Sequence, residues 1–218
     1  MRISIVSNGT PPKELLPEIK KSDYIIGVDR AAYWLMKHGV VPQVAIGDFD
    51  STGRGELDKI KQSIPTVKCY APEKDFTDTE LALKYAINLK PSSIILYGGS
   101  GTRLDHTLGT LHILERCQKR GIPAVFRDKT NEVMVVGRGR TILSRRAGSR
   151  YVSIVPITSS IQLSLSGFTY EIAKKTIRRG QTIGISNEFA GRQSRRISAG
   201  HATITIYRGL AFVIQSRD

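Results

Sequence analysis

Short apolar runs rich in β-branched residues alternate with helical patterns through the first 130 residues, and this alternation limits the possible folds more than any other feature of the chain. Strands that alternate with helices along a chain build a parallel sheet from βα units. The sequence therefore predicts a Rossmann-like α/β domain with a mostly parallel sheet. The six predicted strands are Arg2–Ser7, Tyr24–Val28, Val44–Ile46, Val67–Tyr70, Ser93–Gly98 and Pro123–Arg127.

The segments between these strands carry helix signals at their ends. Ala31–His38 and Leu104–Arg120 are each followed by a glycine and then, within three residues of that glycine, by a proline. Both residues are typical terminators of helices. Thr77 and Glu80 form the pattern of a capping box, which predicts the start of another helix.

After about Thr130 the helical pattern stops, and short alternating segments separated by glycine, serine and asparagine follow. They are NEVMVVG, RTILS, RYVSIVP, IQLSLS, TIGIS, ATITIY and LAFVIQ. Alternation with a period of two residues over many short segments is typical of a β-sandwich. We therefore expect an α/β domain over residues 1–130, followed by an all-β sandwich domain over residues 131–218.

Basic residues outnumber acidic ones, with 33 Lys and Arg against 19 Asp and Glu and a formal net charge of +14. Most of this excess lies after residue 130. Such a distribution agrees with a nucleic-acid partner or with a basic surface that has no such partner. Few aromatic residues lie among the basic ones, as stacking on bases would require, so the sequence does not favour a nucleic-acid partner.

The sequence predicts a cytoplasmic protein without a membrane partner. Its two cysteines, Cys69 and Cys117, are too few for a disulfide framework or a cysteine metal cluster, and they suit a reducing compartment. The apolar runs are strand-sized, far below the roughly 18 residues that a membrane-spanning helix needs. The start of the chain also lacks the apolar region of a signal peptide.

Polar and glycine-rich segments follow the predicted strands one after another, at the edge where parallel sheets bind ligands. They are Asn8-Gly9, Asp29, Gly47–Ser51, Lys74–Asp78 and Gly98–His106. Taken alone, each aspartate in them is equally well explained as a turn residue or a helix cap. Taken together, we expect the five segments to meet at one edge of the sheet.

Five aspartates in these segments would bring carboxylates together, and uncompensated carboxylates repel one another. They are Asp48, Asp50, Asp75, Asp78 and Asp105. A divalent cation relieves this repulsion, and an all-oxygen ligand set favours Mg²⁺ over zinc. Mg²⁺ held by carboxylates generally accompanies phosphates, which the glycine-rich turn 98–101 would contact, with Lys74 and Arg103 as clamps. The predicted substrate is a nucleoside triphosphate.

Four motifs occur in the order seen in thiamine pyrophosphokinases: GDFDS at 47–51, KDFTD at 74–78, RLDHTLG at 103–109 and SNEF at 186–189. The chain resembles this family over nearly its whole length. The resemblance implies a Mg²⁺-dependent transfer of the terminal pyrophosphoryl group of ATP to the hydroxyethyl oxygen of thiamine, which gives thiamine diphosphate and AMP. It also implies a homodimer whose all-β domain helps to form the thiamine pocket.

The resemblance also assigns roles to residues at matching positions. The implied metal ligands are Asp48, Asp50 and Asp78, and the implied catalytic residues are Asp75, Asp105 and Arg103. The residues expected to bind ATP are Asn8, Gly9, Asp29, Lys74, Thr77, Gly99 and Arg103. The implied thiamine-binding residues are Tyr170, Ser186 and Asn187. Asp105 is expected near the reacting hydroxyl or at a second metal.

Some alternatives stay open at this stage. His106 is either a general base or a hydrogen-bond partner of another site residue, and it is expected to point away from a stripe formed by Leu104, Leu108 and Leu111. Trp34 is assigned to the core and not to a substrate surface.

Two other functions remain: a nucleic-acid-binding protein that uses the basic all-β domain, and a nucleotide-binding protein that has no catalytic activity.

Overall fold

The computed structural model describes residues 1–9, 13–71, 73, 75–191 and 200–218. The chain divides into two compact units, Met1–Lys129 and Thr130–Asp218. Lys74, which the sequence assigns to ATP binding, lies outside the described residues. Of the helices in the described ranges, none has both the length and the apolar character needed to cross a membrane.

The first unit is built on a parallel sheet. Its strands are β1 (Arg2–Val6), β2 (Tyr24–Val28), β3 (Val44–Gly47), β4 (Thr66–Cys69), β5 (Ser93–Tyr97) and β6 (Ala124–Arg127). They lie in the order β6-β5-β1-β2-β3-β4, and each neighbouring pair is parallel. The helices are α1 (Leu16–Ile19), α2 (Arg30–Lys37), α3 (Arg54–Ser63), α4 (Asp78–Asn88) and α5 (Leu104–Gln118), with a short 3₁₀ helix at Lys13–Leu15. The predicted Rossmann-like sheet is confirmed.

The central strands are buried along their length, which explains why they read as continuous apolar runs. In β1, β2 and β5 every residue after the first is buried, so both faces of the sheet are covered. One core cluster contains Val6, Ile25 and Leu35, and another contains Ala45 and Ile60. This burial holds the carboxyl ends of the strands rigidly at one edge, where the polar segments follow.

The stripe formed by Leu104, Leu108 and Leu111 on α5 does not form the buried face of this helix. Leu104 is 69% exposed and Leu108 is 49% exposed. The helix instead buries Thr110, Leu114 and Cys117, which are spaced by four and three residues and therefore share one face. The face that α5 buries is thus rotated away from the leucine stripe.

The second unit consists of two antiparallel sheets, as the sequence predicts for a β-sandwich. Its strands are β7 (Asn131–Val136), β8 (Gly139–Ser144), β9 (Tyr151–Pro156), β10 (Ser160–Ser166), β11 (Ile172–Arg178), β12 (Asn187–Glu188), β13 (His201–Arg208) and β14 (Ala211–Ser216). The strand orders are β12-β9-β14-β7 and β11-β10-β13-β8. One buried cluster joins Ile154 and Val213 of the first sheet to Leu163 and Ile204 of the second. The expected fold class is therefore confirmed.

One predicted strand of this unit is a turn, and two actual strands, β11 and the two-residue β12, were missed. The segment TIGIS forms a turn in which the N–H of Ile185 donates to the carbonyl of Thr182 (3.0 Å). Gly184 lies so close to the backbone of Ile154 that a side chain at this position would overlap with it. The longer of the two missed strands, β11, lies at a sheet edge and buries only Ile177, so its sequence lacks the apolar alternation that marks a strand.

Candidate active site

A cleft of about 520 Å³ lies in the first unit, at the edge where the sheet strands end. The turns that follow β1, β2, β3 and β5 all contribute to its wall, together with the segment 76–79 at the start of α4. This is the edge at which open parallel sheets bind ligands. The convergence of these segments is thus what the order of strands and polar turns predicts.

Three aspartates in the cleft form a close acidic group. Asp29, Asp48 and Asp78 each offer a carboxylate oxygen, and these oxygens all lie within 4.8 Å of one another. Asp29 is buried, and the other two are half-buried. Carboxylate oxygens at such distances suit a hard divalent cation such as Mg²⁺, because the cation offsets their mutual repulsion.

The turns after β2 and β3 interlock to position this acidic group. The backbone N–H of Phe49 donates to the Oδ1 atom of Asp29 (3.2 Å). A Cβ at Gly47 would overlap with the same carboxylate, so only glycine leaves room for Asp29 to reach the cleft. Asp29 and Phe49 have φ angles of 48° and 58°, which are rare for residues other than glycine. The acidic group therefore depends on two unusual backbone conformations.

A glycine-rich turn forms another part of the cleft wall. A Cβ at Gly9 would overlap with the carbonyl oxygen of Ser100, so the turns after β1 and β5 pack backbone against backbone. Two helices start at the cleft, α4 at Asp78 and α5 at Leu104, and helix N-termini attract phosphates. Thr77 caps α4 by accepting a hydrogen bond from the N–H of Glu80 (3.2 Å), as the capping box predicts.

Arg103 lies at the mouth of the cleft and is paired with Asp105. Its Nη2 atom lies 2.6 Å from Oδ2 of Asp105, and both side chains are more than 60% exposed. The hydrogen bond from Arg103 holds the pKa of the Asp105 carboxyl below its usual value, and Asp105 in turn raises the pKa of Arg103. Asp105 is not part of the cleft wall. Asp105 is therefore placed to orient the guanidinium group of Arg103.

The other residues assigned from sequence fall into two groups. Those that line the cleft are Asn8, Gly9, Asp50, Thr77 and Gly99, and His106 lines it as well. Asp75 is exposed and does not line the cleft. Their predicted roles in ATP, metal and hydroxyl binding stay predictions.

The acidic group differs in one member from the metal ligands expected from sequence. It contains Asp29, which the sequence assigns to ATP, and it does not contain Asp50, which the sequence assigns to the metal. The backbone N–H of Asp50 donates to Oδ1 of Asp48 (3.2 Å), so the two residues belong to one tight turn. A signal for Asp29 was available, because it directly follows an apolar strand that is buried after its first residue, just as the turn of Asp48 follows the buried strand β3.

The three thiamine-binding residues expected from sequence lie in the second unit and form one local arrangement. The side-chain amide of Asn187 donates to the backbone carbonyl of Tyr170 (2.8 Å) and accepts from the backbone N–H of Tyr170 (3.0 Å). Asn187 is buried, whereas the side chain of Tyr170 is largely exposed. Ser186 is exposed, has a φ of 57°, and donates its backbone N–H to Ser153 Oγ (3.0 Å). Asn187 therefore holds the backbone that presents the Tyr170 ring.

Comparison with known proteins extends over the whole chain. A curated thiamine pyrophosphokinase of Bacillus subtilis is 33% identical over 99% of both chains. Thiamin pyrophosphokinase 1 of Caenorhabditis elegans is 26% identical over 77% of this chain and 72% of that protein. The crystal structure of thiamine pyrophosphokinase from Bacillus subtilis has a TM-score of 0.89 at 31% identity and covers 100% of both chains.

An acidic group, a glycine-rich turn and two helix N-termini around one cleft define an α/β enzyme that acts on a phosphorylated substrate. Residues 16–126 match the family described as thiamin pyrophosphokinase, catalytic domain, and residues 140–204 match thiamin pyrophosphokinase, vitamin B1 binding domain. The chain belongs to the thiamine pyrophosphokinase family. The resemblance carried by the four motifs is thereby confirmed.

Proposed function

We propose that the chain transfers the pyrophosphoryl group of ATP to the hydroxyethyl oxygen of thiamine, giving thiamine diphosphate and AMP. The observation that carries the proposal is one cleft whose wall contains both the acidic group and a glycine-rich turn, in a chain whose two units match a catalytic and a vitamin B1 binding domain.

The residues around the cleft suit the binding of a triphosphate. The backbone N–H groups of the glycine-rich turn and the first turns of α4 and α5 would donate to phosphate oxygens. Arg103, held by Asp105, would add a fixed positive charge at the cleft mouth. Forming an alkoxide at the thiamine hydroxyl is costly, so the chain gains more by aligning the substrates and stabilising charge than by providing a strong base. His106 lines the cleft and remains the candidate for proton transfer.

Asp29, Asp48 and Asp78 would hold the metal ion, for which their oxygen donors and short separations fit Mg²⁺. When bound, Mg²⁺ neutralises negative charge on phosphate oxygens. Asp29 is fixed by the N–H of Phe49, so the chain supplies at least one ligand in a set position. In the absence of the ion, the three carboxylates repel one another.

The second unit would bind thiamine. The exposed ring of Tyr170 offers a surface on which an aromatic ligand can stack. Asn187 fixes the backbone of Tyr170 through hydrogen bonds to both its N–H and its carbonyl. Ser186 directly precedes Asn187 and presents an exposed side chain. These residues lie within the range that matches the vitamin B1 binding domain, which supports their assignment.

A homodimer and a cytoplasmic location complete the proposal. Leu104 and Leu108 expose large apolar side chains on α5, and exposed apolar surface often marks a protein contact. Both cysteines are free, as in a reducing compartment. Light scattering that gives twice the mass of one chain would support the dimer. A fully active monomer would rule out a thiamine pocket shared between two chains.

The test of this function is the identity and amount of both products from Mg-ATP and thiamine. Mass spectrometry should find thiamine diphosphate and AMP in equal amounts. ADP with thiamine monophosphate would replace pyrophosphoryl transfer by phosphoryl transfer. An inactive nucleotide-binding protein would bind ATP and form neither product.

A further inference from the structure

Glu80 does not complete the capping box that the sequence predicts at the start of α4. In a full capping box, the side chain of Glu80 accepts from the N–H of Thr77 while Thr77 accepts from the N–H of Glu80. Between these two residues, both of which the structure describes, only the second bond forms. The carboxylate of Glu80 instead contacts two basic side chains.

The Glu80 carboxylate is the centre of an ion-pair cluster that joins two helices. Its Oε1 atom lies 2.6 Å from Nη2 of Arg116 in α5 and 3.6 Å from Nζ of Lys84 in α4. The side chain of Glu80 is only 14% exposed, whereas those of Arg116 and Lys84 reach solvent. A largely buried negative charge on α4 is therefore compensated by a cation from α5.

Both helices of this ion pair contribute to the cleft. Asp78 and Thr79 of α4 line it, and so do His106 and Thr110 of α5. Asp78 is also a member of the acidic group and lies two residues before Glu80. The contact between α4 and α5 therefore links two parts of one cleft wall.

The first turn of α4 has further anchors. The hydroxyl of Thr79 donates to Ser7 Oγ (3.0 Å), and Ser7 directly follows β1. The ammonium group of Lys84 lies 2.8 Å from the centre of the Phe76 ring, which is part of the cleft wall. The start of α4 is thus tied to β1 on one side and to α5, through Glu80, on another.

Stability alone is a poor explanation for this ion pair. Burial removes water from a charged group, and this cost roughly offsets the attraction to the partner, so buried ion pairs often add little to the free energy of unfolding. Their directional hydrogen bonds do fix how two elements meet. An active site needs such fixing, because a displacement of about 1 Å can lower the rate about hundredfold.

We propose that Glu80 is a positioning residue, whose ion pair with Arg116 fixes the first turn of α4 against α5 and thereby aligns Asp78 with the phosphate-binding part of the cleft. Glu80 does not line the cleft, so it acts through Asp78 and not on the substrate. The identity of the substrate as ATP rests on the proposed function, whereas the role of Glu80 rests on the contacts between the helices.

Glu80→Gln tests this role, because glutamine keeps the shape of the side chain and loses its charge. We expect kcat/KM for ATP to fall about tenfold to hundredfold, as for a displaced site group, while the KM for thiamine is unchanged. Calorimetry should show weaker binding of inorganic tripolyphosphate in the presence of Mg²⁺. Circular dichroism at the assay temperature verifies that the variant is folded. Equal changes for both substrates, or a lower Tm with unchanged ATP constants, would overturn the proposal.

Glu115→Gln is the matched control. Glu115 contacts His112 (3.2 Å) and Lys119 (4.0 Å) of its own helix, so its loss leaves the contact between α4 and α5 intact. This variant should keep the ATP and thiamine constants of the wild-type chain.

Variants of Arg116 test the pair from its other side. Arg116→Gln should reproduce the loss in Glu80→Gln, and Arg116→Lys should retain most of the ATP efficiency because it keeps the charge. The double variant Glu80→Gln with Arg116→Gln should be little worse than either single variant if the two residues act as one unit. Losses that add in the double variant would contradict the pair.

The results separate the positioning role from the thiamine reaction. Weaker tripolyphosphate binding in Glu80→Gln, in a chain that makes no thiamine diphosphate, would uphold the positioning role and reject the reaction. Formation of thiamine diphosphate and AMP with equal ATP efficiency in Glu80→Gln and the wild-type chain would uphold the reaction and reject the positioning role. A wild-type chain that does not bind tripolyphosphate would overturn the positioning role, because the cleft would then hold no phosphates to align.

Discussion

Asp29 has a backbone conformation that few aspartates adopt, with φ 48° and ψ −131°, and its carboxylate joins the acidic group from this conformation. Such conformations cost about 1–3 kcal/mol and persist only where the surroundings enforce them. Here the N–H of Phe49 holds the carboxylate, and the absence of a side chain at Gly47 leaves space for it. At the scale of single residues, the site thus depends on a glycine that takes no part in the chemistry.

We expect Gly47→Ala to abolish most activity, because the new methyl group would displace the Asp29 carboxylate from the acidic group. The Mg²⁺ concentration needed for half-maximal activity should rise at least tenfold. Gly55→Ala in α3 is the control, since nothing lies within 4 Å of its Cβ position and alanine favours a helix over glycine by up to about 1 kcal/mol. The control should keep full activity. Activity in Gly47→Ala equal to that of the control would exclude Asp29 from the metal site.

Asp48→Asn should remove most activity, whereas Asp50→Asn should have a smaller effect, because only Asp48 belongs to the acidic group. The asparagine keeps an oxygen that can accept the hydrogen bond from the N–H of Asp50 but lacks the charge. Loss of one charge relieves repulsion, so thermal stability without Mg²⁺ should be unchanged or higher. Steady-state kinetics over a range of Mg²⁺ and thermal unfolding in a chelator measure the two effects. A larger loss in Asp50→Asn would return Asp50 to the metal site and remove Asp48.

At the scale of elements, the short strand β12 anchors the loop that presents Tyr170. Residues 170 and 187 are 17 positions apart, yet the Asn187 side chain meets both the N–H and the carbonyl of Tyr170. The isolated bridge between Phe168 and Phe189 lies beside this pair. The strand β12 therefore carries the buried amide of Asn187, which supports the backbone of the exposed Tyr170.

Asn187→Ala should raise the KM for thiamine by about tenfold to hundredfold and change the KM for ATP little. Loss of a buried hydrogen-bonding amide costs about 1–3 kcal/mol, and here the loss frees the backbone of Tyr170. Asn187→Asp keeps the acceptor for the Tyr170 N–H and loses the donor to its carbonyl, so its effect should be intermediate. A double variant with Tyr170→Ala should be little worse than either single variant if Asn187 acts through Tyr170. Equal increases in both KM values would indicate general misfolding.

At the scale of the whole molecule, part of the high positive charge has a structural explanation. The edge strand β11 exposes Lys174, Lys175 and Arg178. Charged side chains on an edge strand prevent its free N–H and C=O groups from pairing with another chain. This role requires no polyanion, and none of the findings supports the alternative of a nucleic-acid-binding protein.

Global stability should fall as the pH rises from about 9 to about 11, because burial raises the pKa of Cys117 from 9.0 to about 11. Below this window the thiol is protonated in both states, so the stabilisation is fully present. Within it, the unfolded chain loses the proton while the folded chain keeps it, which favours unfolding. At about pH 10 the expected loss in the free energy of unfolding is on the order of 1 kcal/mol.

Urea denaturation at about pH 8 and about pH 10 measures this loss. Tyr24, whose pKa is raised from 10.0 to about 12 in the fold, is about half ionised in the unfolded chain at about pH 10 and adds the smaller share of the loss, roughly 0.4 kcal/mol. In Cys117→Ala, the free energy of unfolding should fall less between pH 8 and pH 10 than in the wild-type chain, even though the variant is less stable at pH 8. Cys69→Ala, which removes the exposed cysteine, should retain the difference. An undiminished fall in Cys117→Ala would assign the effect to another group.

The sequence by itself determined the parallel sheet, the switch to antiparallel strands, the cap at Thr77 and the family, because periodicity, caps and ordered motifs are local properties of the chain. Only the tertiary structure decided that Asp29 and not Asp50 joins Asp48 and Asp78, that Asn187 supports Tyr170, and that Glu80 pairs with Arg116 of α5. Each of these depends on a rare φ angle or on contacts between residues far apart in sequence. Such contacts arise when strands and helices pack, and no local pattern encodes which side chains then meet.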